Sequence, residues 1–566
     1  MLAFAGLGAA PFIDPPEGFH AEIAREMGGA GGWITPRLNS VRYFDKPPVP
    51  YWLMAVSFGV AGPTPAAARL WGALAAIGVA VATALIGVRL RGPRLGVLAG
   101  VMVTANLGVF LYARIVKPDL LFVLFITLAW TGVVLAWPGS RAWLALFYAA
   151  LGLAAITKDI LGAIGPLAVL ALALAWTGER PIRRWFPWWG LAILLVVALP
   201  WYLAVEIENP GFLWYTVVDN HILNVARQRA FPDEDVPLGA LEFLVVTIAA
   251  FLPWTLAAVP GAVAALRDRA TGPAARLWRL FALWGLGVLV VFTLSPFKLP
   301  HYGLPAFPAL ALLAARAWDD ALATPARARG VILPALVVFA LVAAAFLVTG
   351  TGLVSVGDEP LSSVDVATRN LAARGQAAPV ASLEAWRPVL ITAAVLFTLG
   401  TAALAAAAWR VTPRVAAGAA TGAMVLFLPV VAGVGMAEFA RVRSARPVTE
   451  TLLRRAGPAD VVVHEGALEN SGSLLLALGR PVRVVNGLHS NLAYGATFPD
   501  SRDLFWDDAR LAREWEAAGP RRFLVSVVAP ERSVVRRLPP GRVHLLARTG
   551  THWLYSNLAD GEVPRR

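Results

Sequence analysis

Long, uninterrupted apolar runs recur along this chain, and they constrain its fold more than any other feature. From near Trp71 to near Met436, runs long enough to cross a bilayer follow one another with only short loops between them. In lipid no water is available to an open strand or loop, so such runs are stable only as helices. By composition they fall at 1-12, 64-88, 95-113, 119-137, 142-157, 160-177, 186-205, 240-264, 280-295, 302-318, 330-350, 387-408 and 415-436, which predicts thirteen spans if the first counts. That first run would reach ~18 Å at about 1.5 Å per residue, against a hydrocarbon core of ~30 Å, so a short or partial span is expected there. It has no charged leading segment and no clean small-residue cleavage site, and does not read as a signal peptide.

Charged residues make up only 15% of the 566 residues, well below the roughly 25% of soluble domains. A water-soluble enzyme is excluded. The net charge of +13 does not indicate nucleic acid, because the Lys and Arg residues sit in short loops between apolar runs. There they set orientation by the positive-inside rule. With the N-terminus inside, the cytoplasmic loops collect Arg89, Arg91, Arg94, Arg141, Arg180, Arg183 and Arg184, whereas Asp14, Glu17, Asp119, Asp159 and Asp219 fall on the opposite face. An odd number of spans then places the tail outside. The chain has no cysteine, so disulfides, thiolate metal sites and thiol nucleophiles are unavailable.

Beyond Met436 the character changes. Strand-like runs at 461-463, 482-485 and 523-528 alternate with helical patterns at 447-456, 468-478 and 507-518, the signature of a small α/β domain. The expected organisation is an all-α polytopic membrane bundle over 1-438, carrying an external loop with juxtamembrane helices at 13-63, followed by an extracytoplasmic α/β domain over 439-566.

The loop before residue 64 carries the candidate chemistry. It begins Asp14-Pro15-Pro16-Glu17-Gly18-Phe19-His20-Ala21-Glu22-Ile23-Ala24-Arg25-Glu26-Met27, where Pro16 followed by acidic residues predicts a helix start. Phe19, Ile23 and Met27 would share one face of an amphipathic helix lying along the membrane. Gly31-Gly32-Trp33-Ile34-Thr35-Pro36-Arg37-Leu38-Asn39 and Tyr43-Phe44-Asp45-Lys46-Pro47-Pro48-Val49-Pro50-Tyr51-Trp52 follow. This order resembles the first external loop of the C-type (GT-C) membrane glycosyltransferases, in particular the bacterial aminoarabinose transferase and protein O-mannosyltransferase-like superfamily (glycosyltransferase family 39/83-like). Ala113-Arg114 to Asp119, Asp219-Asn220-His221-Ile222 and Lys298-Leu299-Pro300-His301-Tyr302 resemble further external elements of that superfamily. Where the family pattern has Asp immediately before the loop Glu, this chain has Pro16.

The resemblance implies transfer of a sugar from a polyprenyl-phosphate donor to an acceptor outside the cytoplasmic membrane, by a single inverting displacement. A leaving phosphate needs cations where its charge develops, and Lys46, Lys298, Arg114 and Lys117 are the candidates. The acceptor needs a carboxylate base, for which Glu17 comes first, then Asp14, with Asp119 as a further catalytic candidate. Tyr43, His221, His301 and Tyr302 are candidate substrate contacts. His20, His221 and His301 do not have the spacing of a helical zinc pair, so no metal site is expected, although a divalent cation is compatible with phosphate chemistry. The expected partners are the lipid-linked donor, a glycolipid, polysaccharide or protein acceptor, and membrane lipids. The expected location is the bacterial inner membrane. A transporter or lipid flippase would instead bury charges mid-span in repeated halves with broken helices. A catalytically silent envelope scaffold is the other rival.

Overall fold

A computed structural model describes residues 2-29, 32-137, 139-232, 235-268, 270, 272-353, 365-373, 382-488 and 490-559. It is mostly helical. Seven described helices are long and apolar enough to cross a membrane, eight if a pair bent by 101° counts as one span. Each corresponds to a predicted run. The first begins with a standard start signal: the Thr64 side chain accepts from the Ala67 amide and Pro65 takes the first helical position.

The other runs of the expected thirteen are shorter or broken pieces, for local reasons. The run at 95-113 divides at Asn106, whose amide donates to the Met102 and Val103 carbonyls while its oxygen caps the next helix at Val109. The run at 240-264 bends between Ala250 and Thr255, around Pro253. The run at 1-12 is not a spanning helix; after one turn at Leu2–Phe4 its carbonyls turn to side chains from elsewhere. Arg69 donates to the carbonyls of Leu7, Ala10 and Pro11, and Arg114 to those of Leu2 and Ala5.

The external loop forms helix α1 (Gly18–Gly28), a short antiparallel ribbon of β1 (Arg37–Leu38) and β2 (Val41–Arg42), and helix α2 (Val49–Ala61), which leads into α3 (Pro65–Arg91). The tail holds a six-stranded sheet of β3 (Val461–Glu465), β4 (Arg483–Val485), β5 (Phe505–Trp506), β6 (Arg522–Ser526), β7 (His544–Arg548) and β8 (Trp553–Ser556). Its order is β5-β4-β3-β6-β8-β7, parallel across the first four strands and antiparallel across the last two.

The sheet-bearing tail packs directly on the loop. A Cβ at Gly472 would lie 1.9 Å from the Phe19 nitrogen, and one at Gly18 would lie 2.2 Å from the Ser473 nitrogen. Only glycine on both sides lets α1 and the Gly472–Leu478 helix meet backbone to backbone. Asn39, held at φ 56°, exchanges two hydrogen bonds with the Val482 backbone at 2.7 and 2.9 Å. Arg37 and Arg42 reach Asp500 at 3.2 and 3.1 Å.

Candidate functional site

Glu17 lies just before α1, and the buried Arg69 of α3 meets it in a two-point ion pair at 2.8 and 2.6 Å. The Ile13 and Val116 amides fill the remaining acceptor positions at 2.9 and 3.2 Å. Glu17 has no exposed surface. The first choice for the base is therefore a structural anion that ties the start of α1 to α3 and to the 113-118 loop.

Asp14 is also buried, on the far side of the same turn. It accepts from the Ser473 amide at 3.0 Å and from the Ser473 hydroxyl, and it borders a small cavity with Arg443, Asn470, Thr551 and His552. Burial pushes its carboxyl up to about 7. A carboxyl raised above its unfolded value stabilises the fold at low pH, and that contribution is lost as pH rises through the folded value. Wild-type protein should thus lose up to ~4 kcal/mol relative to Asp14→Asn between about pH 4 and pH 7. Thermal melting of both proteins at pH 5 and pH 8 checks this; parallel curves would remove Asp14 as the cause.

The cations gather elsewhere. Asp119 opens a spanning helix, where its charge suits the helix N-terminus. Lys158 Nζ lies 2.5 Å from its carboxylate and His301 Nε2 lies 3.7 Å away. Lys46 and Lys117 are within electrostatic reach of His301, and Lys117 also of Asp119. Burial holds the His301 and His20 imidazoles well below their ordinary value, with the lysines adding to the effect, so both are neutral at physiological pH. Burial also lowers the Lys117 ammonium, against the attraction of Asp119. His20 and Lys117 line a small cleft with Trp71, and His20 is fixed by the Tyr51 hydroxyl at 2.9 Å.

Lys46 is about one third exposed and lies 3.4 Å from Asp45, which also accepts from the Tyr215 hydroxyl at 3.1 Å. Tyr302 presents its ring to the Lys158 ammonium at 4.9 Å. His221 is held by the Thr216 carbonyl at 2.6 Å and faces Asp159 at 3.9 Å; Asp159 raises its basicity against the desolvation that lowers it.

Lys46, Lys117, Asp119, His301 and Tyr302 thus converge; Glu17 borders them through the Val116 amide next to Lys117, and Asp14 turns instead to Ser473. Arg114 is turned elsewhere: it lies over the Phe110 ring at 3.6 Å and donates to the Phe110 carbonyl and to carbonyls of the N-terminal segment. Tyr43 is buried against Phe19 and Tyr51. Lys298 is buried three residues before His301, with its carbonyl bound by the Leu238 amide at 2.9 Å. Among the described residues no group of three or more His, Cys, Asp or Glu side chains is placed to hold a metal.

Sequence reasoning missed Lys158, Asp45 and Tyr215. Lys158-Asp159 left a readable signal, a charged pair between the apolar runs at 142-157 and 160-177. Asp45 stands beside Lys46 in the same motif. Tyr215 left none.

The fold and this arrangement define a polytopic membrane protein of the C-type glycosyltransferase superfamily. A family model described as dolichyl-phosphate-mannose-protein mannosyltransferase matches residues 45-203. The undecaprenyl phosphate-α-4-amino-4-deoxy-L-arabinose arabinosyl transferase of Pseudomonas aeruginosa (strain UCBPP-PA14) is 30% identical over 412 residues, covering 69% of this chain and 71% of that protein. The chain belongs to that arabinosyl transferase family. The Shewanella sediminis relative is 30% identical over 325 residues, 56% of this chain and 57% of that protein, so the match spans only a little over half its length. The crystal structure of ArnT from Cupriavidus metallidurans bound to undecaprenyl phosphate has the same fold, with a TM-score of 0.81 at 22% identity over 100% of this chain and 97% of that one.

Proposed function

We propose that this protein transfers a sugar from a polyprenyl-phosphate donor to an acceptor at the extracytoplasmic face of a bacterial inner membrane. The reading divides the chain into a transferase domain over 1-438 and an extracytoplasmic domain over 439-566. The single observation that carries it is the convergence of Lys46, Lys117 and Lys158 around Asp119 and His301, in a chain whose relatives are named for the same chemistry.

In the resting site Lys158 neutralises Asp119. An arriving phosphate competes for Lys158, Lys46 and Lys117, and the freed Asp119 carboxylate becomes the base that takes the proton from the acceptor. The acceptor atom forms its bond to the anomeric carbon as the bond to the phosphate oxygen breaks, and the leaving phosphate keeps the electron pair. Lysines aimed at that oxygen stabilise the charge where it develops. Leu161 and Ile164, just beyond Lys158, are 46% and 53% exposed on an apolar helix and offer an apolar surface to the carrier's isoprenoid tail.

Purified protein given a polyprenyl-phosphate sugar and an envelope glycolipid fraction should produce a glycosylated acceptor visible by mass spectrometry. Absence of transfer to any glycolipid, polysaccharide or protein fraction, with donor binding intact, would overturn the reading.

A further inference from the structure

Tyr494 belongs to the sheet domain, in a loop between β4 and β5, and sits among side chains of the membrane domain. Its ring stacks on Tyr215 with centroids 4.4 Å apart and planes 4° from parallel. It also meets Phe44 at 5.3 Å and Phe231 at 5.2 Å. Phe44 immediately precedes Asp45, and the Tyr215 hydroxyl donates to Asp45 at 3.1 Å. Asp45 in turn faces the Lys46 ammonium at 3.4 Å, and the Asp45 carbonyl accepts from that ammonium at 3.0 Å. Tyr494 therefore touches Tyr215, where the short path to Lys46 starts, and Phe44, the residue next to Asp45.

The neighbouring chain locks Tyr494 into register. A Cβ at Gly495 would lie 1.8 Å from the Arg42 carbonyl oxygen. Arg42 itself bridges Asn209 at 2.8 Å and Asp500 at 3.1 Å, and lies over the Phe498 ring at 4.3 Å. An aromatic pair this well aligned restricts both rings, and a hydrogen bond from a ring so held loses little freedom when it forms.

We propose that Tyr494 is a positioning residue through which the docked sheet domain aligns the Tyr215, Asp45 and Lys46 side chains for the donor phosphate. This rests on the proposed phosphate-binding role of Lys46. The domain is then part of the donor site, and a transferase domain without it would hold Lys46 poorly.

The test uses the full-length protein in detergent with a polyprenyl phosphate as probe. Tyr494→Ala should weaken its binding about tenfold, whereas Tyr494→Phe, which keeps the stacked ring, should bind within about twofold of wild type. Tyr215→Phe removes only the hydroxyl and should weaken binding to a similar degree, and combining it with Tyr494→Ala should add little. Melting temperature and labelling of Lys46 by an amine-reactive reagent, read by peptide mass spectrometry, separate positioning from unfolding. The proposal requires altered Lys46 labelling in Tyr494→Ala, wild-type labelling in Tyr494→Phe, and a folded Tyr494→Ala protein. Unchanged Lys46 labelling in a folded Tyr494→Ala protein would overturn it whatever the lipid result. Failure of the wild type to bind polyprenyl phosphate would instead refute the role of Lys46 on which it depends.

Discussion

Asp119→Asn is expected to reduce sugar transfer by about 10²- to 10⁴-fold, the range associated with removing a positioned acid or base. The amide keeps the size and helix-start position of the carboxylate but cannot accept the acceptor's proton. It also releases Lys158, which the wild-type carboxylate holds at 2.5 Å. Donor binding should therefore stay level or tighten while turnover collapses, a split between KM and kcat that a folding defect would not produce. Asp14→Asn provides the contrast, because Asp14 faces Ser473 in a separate cavity; it should keep turnover within about tenfold of wild type. Should Asp14→Asn abolish transfer while Asp119→Asn spares it, the two carboxylates have been assigned the wrong way round.

Arg69→Leu is expected to have the largest effect on stability. Removing one partner of a buried ion pair strands the other, at a cost of about 3-5 kcal/mol. Here the loss is compounded, because the same guanidinium holds the carbonyls of Leu7, Ala10 and Pro11. The variant should be recovered from membranes in much lower yield, with a melting temperature several degrees below wild type by roughly the size scaling of such losses. Arg69→Leu combined with Glu17→Leu should regain part of the loss, since no charge is then left unpaired in the interior. Equal melting of Arg69→Leu and wild type would mean that the pair contributes nothing to the fold.

The spans were legible because the constraint on them is one-dimensional: a lipid-facing run must be apolar along its whole length, and composition records that directly. Breaks within runs were less legible, as at Asn106, where a single polar side chain ends one helix and starts the next. The strands of the tail could be read from their β-branched runs, but not their order, since β3 pairs with both β4 and β6 across intervening helices. In the site, Lys46 and Asp119 stood out through their motifs. The surroundings of Glu17 were not legible for a physical reason: a carboxylate in a first helical turn looks the same in sequence whether or not it faces a buried arginine, and its partner Arg69 lies 52 positions later. The partners of Arg114 were hidden in the same way. A guanidinium bound to backbone carbonyls leaves no trace in the identity of the residues that supply them.

The contact between Asp14 and Ser473 spans 459 positions. At a ribosomal rate of about 5-20 residues per second, the front of the loop is made some 20 to 90 s before the partner that caps it. By the end of that interval the nascent protein has its lysines and its apolar helices but still lacks the serine that caps Asp14 and the tyrosine that stacks on Tyr215. A ribosome stalled before residue 473 would leave the turn at Asp14 without the partner that caps it.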